Sequence, residues 1–400
     1  MKIKKIAAII LSVCMVWGYA FTVSAEDDAA AEIEAAKTEN TAGNPAVIDI
    51  RAKSVVLMEA TTKKVLFEQS GNQKMPPASV TKIMTMLLVM ESLESGLIKL
   101  DDKVGTSEHA ASYGGSQIWL EKGETMTVDQ LLKATAIASA NDAAVALGEH
   151  IGGSETGFVA MMNARAKELG MNDTSFINAC GLDADGHLTT AHDIAVMSAE
   201  LLKYQRIKDY STVWMDTLRD GKTELVNTNK LIKSYNGITG LKTGTTDGAG
   251  ICISATAKRE GMELIAVVMG SETSDDRFRT ATNLLDYGFA NYMLYIPDFE
   301  TLNLKDIRVL HGTERQAGLE ISGENHGIVI KKGKEKDVKI ELELAENIEA
   351  PVEKNQTVGK ILITLDGSSA GEFSVQTKQS VSRIKMGTAF LILLKELLKI

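Results

Sequence analysis

The chain contains 400 residues, of which 44% are hydrophobic and 24% are charged, an ordinary balance for a globular protein. Its length exceeds that of a typical single domain, so we expect two folded domains. The formal net charge of −10 argues against a protein that binds nucleic acid.

The first 25 residues have the pattern of a secretory signal peptide. A basic start is followed by an apolar stretch from Ile6 to Val16 and by small residues before a predicted cleavage site after Ala25. A retained membrane anchor is the alternative, but the apolar run is short for a bilayer span. Cleavage removes three lysines and no acidic residue, which takes the formal charge from −10 to −13. Residues 26–44 lack an apolar period, and we interpret them as a disordered linker.

The first motif that carries chemistry is Ser79-Val80-Thr81-Lys82, of the form S-x-x-K. Two prolines precede it and an apolar run from Ile83 to Met90 follows, which predicts that Ser79 lies at the start of a buried helix. Ser79 and Lys82 would then share one face of that helix. Burial and the positive end of the helix should lower the pKa of Lys82, so that its neutral amine can take the proton of Ser79. Taken alone, the motif is more often a capping serine and a lysine that reaches solvent.

The second motif, Ser139-Ala140-Asn141, falls between two predicted helices. Thr127 and Gln130 form a predicted capping box at the start of one helix. The next helix is expected to run from Asp142 to Gly152 and Gly153. A hydroxyl and an amide in this short link could face the nucleophile across a cleft, although ordinary helix-to-helix turn chemistry explains the same residue types.

The third motif, Lys242-Thr243-Gly244, opens a predicted β-meander. Asp247-Gly248 predicts a hairpin turn, and strands are expected over Ile251 to Ala257 and Leu264 to Met269. Gly244 has no side chain and would let a ligand backbone approach the strand. Lys242 would place positive charge near Lys82, which favours the neutral form of Lys82, and would attract a carboxylate of the substrate. An exposed lysine and threonine on an edge strand is the alternative.

The cysteine and histidine content predicts neither a disulfide nor a metal site. Cys14 belongs to the signal peptide, and Cys180 and Cys252 are too far apart in sequence to suggest a disulfide framework, so free thiols are the favoured interpretation. The six histidines show no metal-ligand spacing, and we expect neither a metal nor another cofactor.

From Pro297 onward the pattern changes to alternating apolar and charged residues, most clearly over Val338 to Leu344. This alternation predicts a small all-β sandwich domain over residues 296–385. Other strands are expected over Gly327 to Ile330, Lys360 to Leu365 and Phe373 to Thr377. Residues Gly367 to Gly371 have the form G-x-S-x-G, but a strand pattern follows where a nucleophile elbow needs a helix, so we interpret them as a hairpin loop.

The last residues, 386–400, predict an amphipathic helix. Apolar residues dominate Gly387 to Ile400, while Lys395, Glu396 and Lys399 share one narrow face. A helix of this length measures about 21 Å, too short to cross a bilayer core of about 30 Å. We therefore expect it to lie in the membrane interface, with docking on the protein's own core as the alternative.

In this order, the three motifs resemble those of the serine-type D-alanyl-D-alanine carboxypeptidases, the low-molecular-mass penicillin-binding proteins. A second S-x-x-K run occurs at Ser382 to Lys385, so the combination carries the resemblance. Longer segments also resemble the family: Pro77 to Thr85, Ser139 to Ala144, a mid-domain loop made of Gly181 to Gly186 and Thr189 to Asp193, and Gly240 to Gly250.

The resemblance is strong over residues 45–295. Over residues 296–400 it extends to the general organisation of the chain. It implies an α/β (α+β) catalytic domain of the β-lactamase/transpeptidase-like fold, with a central antiparallel sheet and a helical subdomain. The β-sandwich domain and the C-terminal amphipathic helix follow this catalytic domain.

The resemblance also implies a role for each matching residue. Ser79 is expected to be the acylated nucleophile, Lys82 its base and Ser139 the relay of a proton to the leaving amine. The backbone N–H groups of Ser79 and Thr245 would form the oxyanion hole. The expected substrate-binding residues are Asn141 and Thr245 for the amide, Thr243 and Arg277 for the terminal carboxylate, and Lys242 and Gly244 beside them. For Arg277, a surface position paired with neighbouring aspartates is the alternative.

The implied activity is removal of the terminal D-alanine from peptidoglycan stem peptides ending in D-Ala-D-Ala, through an acyl-enzyme that β-lactams also form. The exported protein would work at the outer face of the bacterial cytoplasmic membrane. A serine β-lactamase is one alternative, because Glu168 and Asn172 have the spacing of a deacylating pair, although Glu168-Leu169-Gly170 has the pattern of a helix end. A non-enzymatic penicillin or muropeptide receptor is another.

Overall fold

The computed structural model describes residues 48–323, 327–387 and 389–390. The predicted signal peptide and linker, and the tail beyond residue 390, lie outside these ranges. The helices are α1 (Lys82–Glu94), α2 (Glu108–Ala111), α3 (Val128–Ile137), α4 (Asn141–Gly152), α5 (Glu155–Glu168), α6 (Ala191–Leu202), α7 (Lys208–Ser211), α8 (Leu231–Ser234) and α9 (Ser274–Asn291). Single 3-10 turns cover Ala78–Thr81, Gln205–Ile207, Phe299–Leu302 and Glu335–Asp337.

Strands occur both before and after α9 in the described chain. In the first part they are β1 (Ser54–Glu59), β2 (Val65–Gln69), β3 (Lys103–Gly105), β4 (Thr125–Thr127), β5 (Met215–Leu218), β6 (Thr223–Val226), β7 (Ile238–Thr246), β8 (Gly250–Arg259) and β9 (Met262–Ser271). In the second they are β10 (Tyr292–Tyr295), β11 (Ile307–Leu310), β12 (Gln316–Ala317), β13 (Leu319–Ile321), β14 (Ile328–Lys331), β15 (Val338–Leu344), β16 (Asn347–Glu349), β17 (Thr357–Leu365) and β18 (Ser368–Thr377).

The catalytic half is built on a five-stranded antiparallel sheet in the order β2-β1-β9-β8-β7. Both faces of the sheet are covered, since α9 packs against β8 and β9 while α6 packs against β1 and β9. Alternate residues of β9 accordingly belong to two separate cores. The predicted meander is confirmed, but β7 begins at Ile238, so Lys242 lies in the middle of an edge strand and does not open it.

The helical subdomain follows the local signals in the sequence. Thr127 and Gln130 form the predicted capping box of α3. The next helix, α4, ends at Gly152, and Gly153 adopts the left-handed conformation of a helix terminator. The central helix α1 is buried on every side from Lys82 to Met90, as its apolar sequence predicts.

The residues that follow α9 form an all-β domain. Its largest sheet has the order β13-β18-β17-β15, and a three-stranded sheet has the order β12-β11-β16. A further two-stranded sheet pairs β10, which directly follows α9, with β14. The G-x-S-x-G segment forms the tight turn between β17 and β18 and the start of β18, so the hairpin prediction is confirmed and the segment is not a nucleophile elbow.

Candidate active site

Ser79 lies in the 3-10 turn Ala78–Thr81, immediately before α1 begins at Lys82. The sequence predicted an α-helix start here, and the difference is this extra tighter turn, in which Ala78 has a left-handed φ of 50°. Two glycines enclose the turn. A Cβ at Gly181 would fall 1.8 Å from the Ala78 carbonyl oxygen, and one at Gly244 would fall 3.0 Å from the Ser79 nitrogen. Because Gly244 has no side chain, the turn that contains Ser79 can pack closely against β7. The sequence analysis explained this glycine only by the approach of a ligand.

Lys82 is completely buried, and three oxygen atoms surround its amine. Nζ lies 3.0 Å from Ser79 Oγ, 2.6 Å from Asn141 Oδ1 and 2.7 Å from the Cys180 carbonyl oxygen. Burial lowers the pKa of Lys82 to about 8, because water no longer stabilises the ammonium form. A neutral amine has two N–H groups for the Asn141 and Cys180 oxygens and a lone pair for the Ser79 hydroxyl. The predicted pairing of Ser79 and Lys82 is therefore present.

The second motif provides Asn141 at the first position of α4. Its Oδ1 accepts from Lys82, and its Nδ2 donates to the Gly114 carbonyl oxygen at 2.7 Å, so the amide is held at both ends. Ser139 is 4% exposed and has a left-handed φ of 63°. Among the described residues its hydroxyl has no hydrogen-bond partner, so no bond joins it to Ser79 or Lys82.

Asp142, the next residue, was not singled out from the sequence. Its buried carboxylate accepts from the backbone nitrogens of Ile118 and Leu120 and thereby holds the loop that follows Gly114. Because a buried carboxylate needs such donors, Asp142 stabilises this loop next to Asn141.

Lys242 of the third motif is 1% exposed, which excludes the alternative of a solvated edge-strand lysine. Its Nζ donates to the Thr243 carbonyl oxygen at 3.0 Å. Burial, together with the charges of Lys82 and Arg277, lowers the pKa of Lys242 well below its usual range. Burial is the main cause that lowers the pKa of both lysines, and the positive charges near Lys242 add to it.

The two threonines of the third motif have different surroundings. Thr243 is 5% exposed, and its Oγ1 lies 2.6 Å from Thr228 Oγ1, a partner that the sequence did not predict. Thr245 is exposed at the end of β7, and its hydroxyl donates to the Gly244 carbonyl oxygen. Both residues lie on the strand that borders the Ser79 turn.

Arg277 lies in the first turns of α9 and is buried, which excludes the alternative of a surface residue. Its Nη1 donates to the Cys252 and Gly244 carbonyl oxygens at 3.2 and 3.4 Å, directly behind the third motif. The neighbouring Asp276 pairs with Arg51. Burial lowers the pKa of Arg277 to about 10.

Cys180 and Cys252 are buried and unpaired, as expected. Burial raises the pKa of each thiol, that of Cys252 to about 11. Cys180 contributes to the site through its backbone oxygen. Within the described ranges, no group of three or more histidine, cysteine or acidic residues is arranged to hold a metal ion.

Two family descriptions match this chain. Residues 38–273 match the D-alanyl-D-alanine carboxypeptidases, and residues 300–383 match the C-terminal domain of penicillin-binding protein 5. The chain belongs to the D-alanyl-D-alanine carboxypeptidase family. The resemblance that the motifs indicated is therefore confirmed, and the chain is a serine-type D-alanyl-D-alanine carboxypeptidase with a mixed α/β catalytic fold.

Individual relatives of this carboxypeptidase are similar over most of their length. D-alanyl-D-alanine carboxypeptidase DacF of Bacillus subtilis is 46% identical over 336 residues, covering 83% of this chain and 86% of the relative. The crystal structure of penicillin-binding protein 5 from Haemophilus influenzae is 30% identical, with a TM-score of 0.76, and covers 86% of this chain and all of that one. Penicillin-binding protein D2 of Listeria monocytogenes, solved in an ampicillin-bound form, is 32% identical, with a TM-score of 0.56 over 60% of this chain and 99% of that one.

The position of Glu168 argues against the alternative that this carboxypeptidase is a serine β-lactamase. Glu168 is the last residue of α5, its side chain is 65% exposed, and it pairs with Arg165 at 3.1 Å. The left-handed Gly170 that follows confirms the helix end. A carboxylate in this position is a surface group, which is not where a deacylating water would be held.

The site residues of this carboxypeptidase that the sequence missed act mainly through backbone atoms. The carbonyl groups of Gly114 and Cys180 hold Asn141 and Lys82, yet a carbonyl group carries no residue-type signal. His187 is another missed residue: it is buried, its Nδ1 accepts from the Ile177 nitrogen and its Nε2 lies 2.9 Å from Thr81 Oγ1. It lies between the Gly181 to Gly186 and Thr189 to Asp193 segments, whose family resemblance was the nearest available signal.

Proposed function

We propose that Ser79 and Lys82 carry out the carboxypeptidase reaction through an acyl-enzyme. Ser79 Oγ attacks the carbonyl carbon of the penultimate D-alanine, and its proton passes to Lys82 Nζ. The bond to the terminal D-alanine breaks, and that residue leaves with a proton relayed through the Ser139 hydroxyl. Water then hydrolyses the ester at Ser79, which restores the free serine and releases the shortened stem peptide.

The observation that carries this proposal is the surrounding of Lys82. With the Asn141 and Cys180 oxygens accepting from its two N–H groups, the lone pair of the neutral amine is directed at Ser79 Oγ, 3.0 Å away. A base in such a position typically accelerates a reaction by about 10²–10⁴-fold. The low pKa that burial gives Lys82 makes part of the enzyme competent at neutral pH.

The other residues proposed to bind the substrate surround Ser79 and Lys82. The Ser79 nitrogen is close to Gly244, so the N–H groups of Ser79 and Thr245 are proposed to stabilise the oxyanion. For the terminal carboxylate, Arg277 is proposed to supply positive charge, while Lys242 supplies an amine N–H and Thr243 a hydroxyl. Asn141 has one N–H of its amide left for the substrate, because the other donates to Gly114.

We further propose that β-lactams acylate Ser79. The ampicillin-bound form of the Listeria relative supports this expectation. A β-lactam carbonyl occupies the position of the scissile amide, so the same attack opens the ring. Because Glu168 is on the surface, no fast deacylation is expected from it, and the adduct should be long-lived.

Cellular placement is also a proposal. We infer that the protein is exported and that its C-terminal tail adheres to the outer face of the cytoplasmic membrane. The apolar tail sequence supports this, and so do Met386 and Phe390, which are 92% and 64% exposed. In the part of the chain that the structure describes, no helix is sufficiently long and apolar for a membrane crossing.

The experiment that tests the function is intact-mass analysis after incubation with benzylpenicillin, beside an assay of D-alanine release from a pentapeptide. We expect one slowly lost penicilloyl adduct, which Ser79→Ala abolishes together with D-alanine release. Ser369→Ala, in the G-x-S-x-G hairpin, is the matched control and should leave both unchanged. An adduct that persists in Ser79→Ala would refute the assignment, and rapid release of hydrolysed penicillin would support a β-lactamase.

A further inference from the structure

A carboxylate outside the three motifs connects two segments of the active site. Glu155, the first residue of α5, has a side chain that is only 11% exposed. Its Oε2 accepts from Tyr113 OH at 2.5 Å and lies 2.7 Å from His109 Nε2, while its Oε1 accepts from the Ala179 nitrogen at 3.0 Å. The free N–H groups of the helix start stabilise its negative charge.

Each segment that Glu155 holds continues into a carbonyl group of the active site. Gly114 follows Tyr113, and its oxygen accepts from Asn141 Nδ2 at 2.7 Å. Cys180 follows Ala179, and its oxygen accepts from Lys82 Nζ at 2.7 Å. One carboxylate is therefore a single residue away from both of these hydrogen-bond acceptors.

These two acceptors determine the direction of the Lys82 lone pair. The Gly114 oxygen binds the nitrogen of the Asn141 amide, so the amide oxygen must face Lys82. The Cys180 oxygen accepts from the other N–H of the neutral amine. With both N–H groups engaged, the remaining lone pair faces Ser79 Oγ, and displacement of either carbonyl would let the amine rotate away.

We propose that Glu155 is a positioning residue for acylation: it holds the Tyr113-Gly114 and Ala179-Cys180 segments so that the Lys82 amine presents its lone pair to Ser79. The inference rests on the proposed roles of Ser79 and Lys82. Glu155 does not itself touch Ser79, Lys82 or Asn141 by a hydrogen bond, so its effect is transmitted through the two backbone segments.

The first test compares Glu155→Gln with Glu149→Gln. Glu149 lies on α4 and accepts from Ser107 Oγ at 2.6 Å, so it is also a partly buried carboxylate that binds the α2 region, but it holds neither active-site segment. We expect Glu155→Gln to lower the second-order rate of acylation by benzylpenicillin at least tenfold, and Glu149→Gln to change it less than twofold. A normal acylation rate in a folded Glu155→Gln protein would overturn the inference.

The second test separates positioning from a general loss of structure. In an Asn141→Ala background the Gly114 oxygen has no amide to orient, so Glu155→Gln should slow acylation by a much smaller factor than in the unchanged protein. Equal factors in the two backgrounds would show that Glu155 does not act through the Gly114–Asn141 contact, and would overturn the inference that it holds both segments. If Glu155→Gln does not fold, Tyr113→Phe replaces it, because this change removes the hydrogen bond from Tyr113 to Glu155. Its effect on acylation is then compared in the unchanged protein and in the Asn141→Ala background, and the results are interpreted in the same way. A wild-type protein that is not acylated at all would refute the proposed function instead.

Discussion

At the scale of single residues, the proposed reaction depends on the buried amine of Lys82. Its ammonium form has lost the stabilisation of water, and three oxygen atoms replace that water. Removing an isolated charge from water is so unfavourable that such a group loses its proton at a lower pH than usual. The acid–base chemistry of the enzyme therefore follows from where this side chain is buried.

Acylation should accordingly depend on pH through Lys82. The base must be unprotonated, and burial lowers the pKa of Lys82 to about 8. We expect the second-order acylation rate of the free enzyme to rise about tenfold per pH unit below that value and to become level above it. Rates measured by mass spectrometry between pH 5.5 and pH 10 check this. Lys82→Ala should lower the plateau by about 10²-fold or more and remove the dependence, whereas an unchanged profile would show that another group takes the proton.

His187 should make the fold sensitive to acid. Burial lowers the pKa of His187 to about 4, so the folded protein keeps it neutral while the unfolded chain protonates it below about pH 6.5. The stability that it contributes is complete above pH 6.5 and is lost as the pH falls towards 4, with a loss of about 2 kcal/mol by pH 5.

Urea unfolding at pH 7 and pH 5 measures this contribution. His187→Gln cannot titrate, so its free energy of unfolding should fall less than that of the wild type over the same interval. His150→Gln, at an exposed position, is the control and should behave like the wild type. Equal losses in the wild type and His187→Gln would contradict the assignment.

At the scale of secondary-structure elements, the nucleophile turn is held between a loop and an edge strand. The loop contributes Gly181 and the strand β7 contributes Gly244, and a side chain at either position would meet the backbone of Ala78 or Ser79. The turn is therefore placed by close backbone packing on both sides. This packing also brings Cys180, next to Gly181, within hydrogen-bond distance of Lys82.

Gly181→Ala should damage both stability and acylation. Its Cβ would fall 1.8 Å from the Ala78 oxygen, and its φ of +90° is unfavourable for alanine, so we expect a loss of about 3 kcal/mol or more. Gly186→Ala lies in the same loop with a φ of +80°, but the nearest atom to its Cβ would be Ile177 Cδ1 at 4.0 Å, so strain of about 1–2 kcal/mol is expected without loss of acylation. Thermal unfolding and acylation rates are measured for both variants. They distinguish the effect of the steric clash at Gly181 from that of the backbone strain that both positions share. Equal effects would show that conformation alone matters at Gly181.

At the scale of the whole molecule, a β domain follows the catalytic domain. The two are connected by α9 and β10, and β10 pairs with β14 of the later half. The residues proposed for catalysis all precede Ser274 except Arg277, whereas the apolar tail begins more than a hundred residues later. Catalysis and membrane attachment are therefore expected to be separable.

Deletion of residues 386–400 should release the mature protein from membranes and leave turnover of a soluble D-Ala-D-Ala peptide nearly unchanged. The physical reason is that the apolar residues of the tail are the expected membrane contact. Flotation with phospholipid vesicles, beside a D-alanine release assay, compares the two forms. If the shortened protein still floats, the tail is not the anchor. If it loses peptide turnover, the tail packs on the body as part of the fold.

The local sequence was sufficient to predict the chemistry, the meander, the capping box and the C-terminal hairpins. Each of these depends on residue type and periodicity over a few positions. Ser79 and Lys82 are three residues apart, so their pairing follows from a single turn of chain. The motif residues and the fold class could therefore be named in advance. Their order along the chain was enough to indicate the family.

Long-range packing was needed for everything that fixes these residues in space. The Cys180 oxygen lies 98 positions from Lys82 in sequence, and the hydroxyl of Thr243 meets that of Thr228, a residue that belongs to no motif. The burial of Arg277 was not foreseen, since a helix face is buried only by what packs against it. Backbone carbonyls look alike in every sequence, and burial is a property of the assembled core. For these reasons only the folded chain reveals how the lone pair of Lys82 is directed at Ser79.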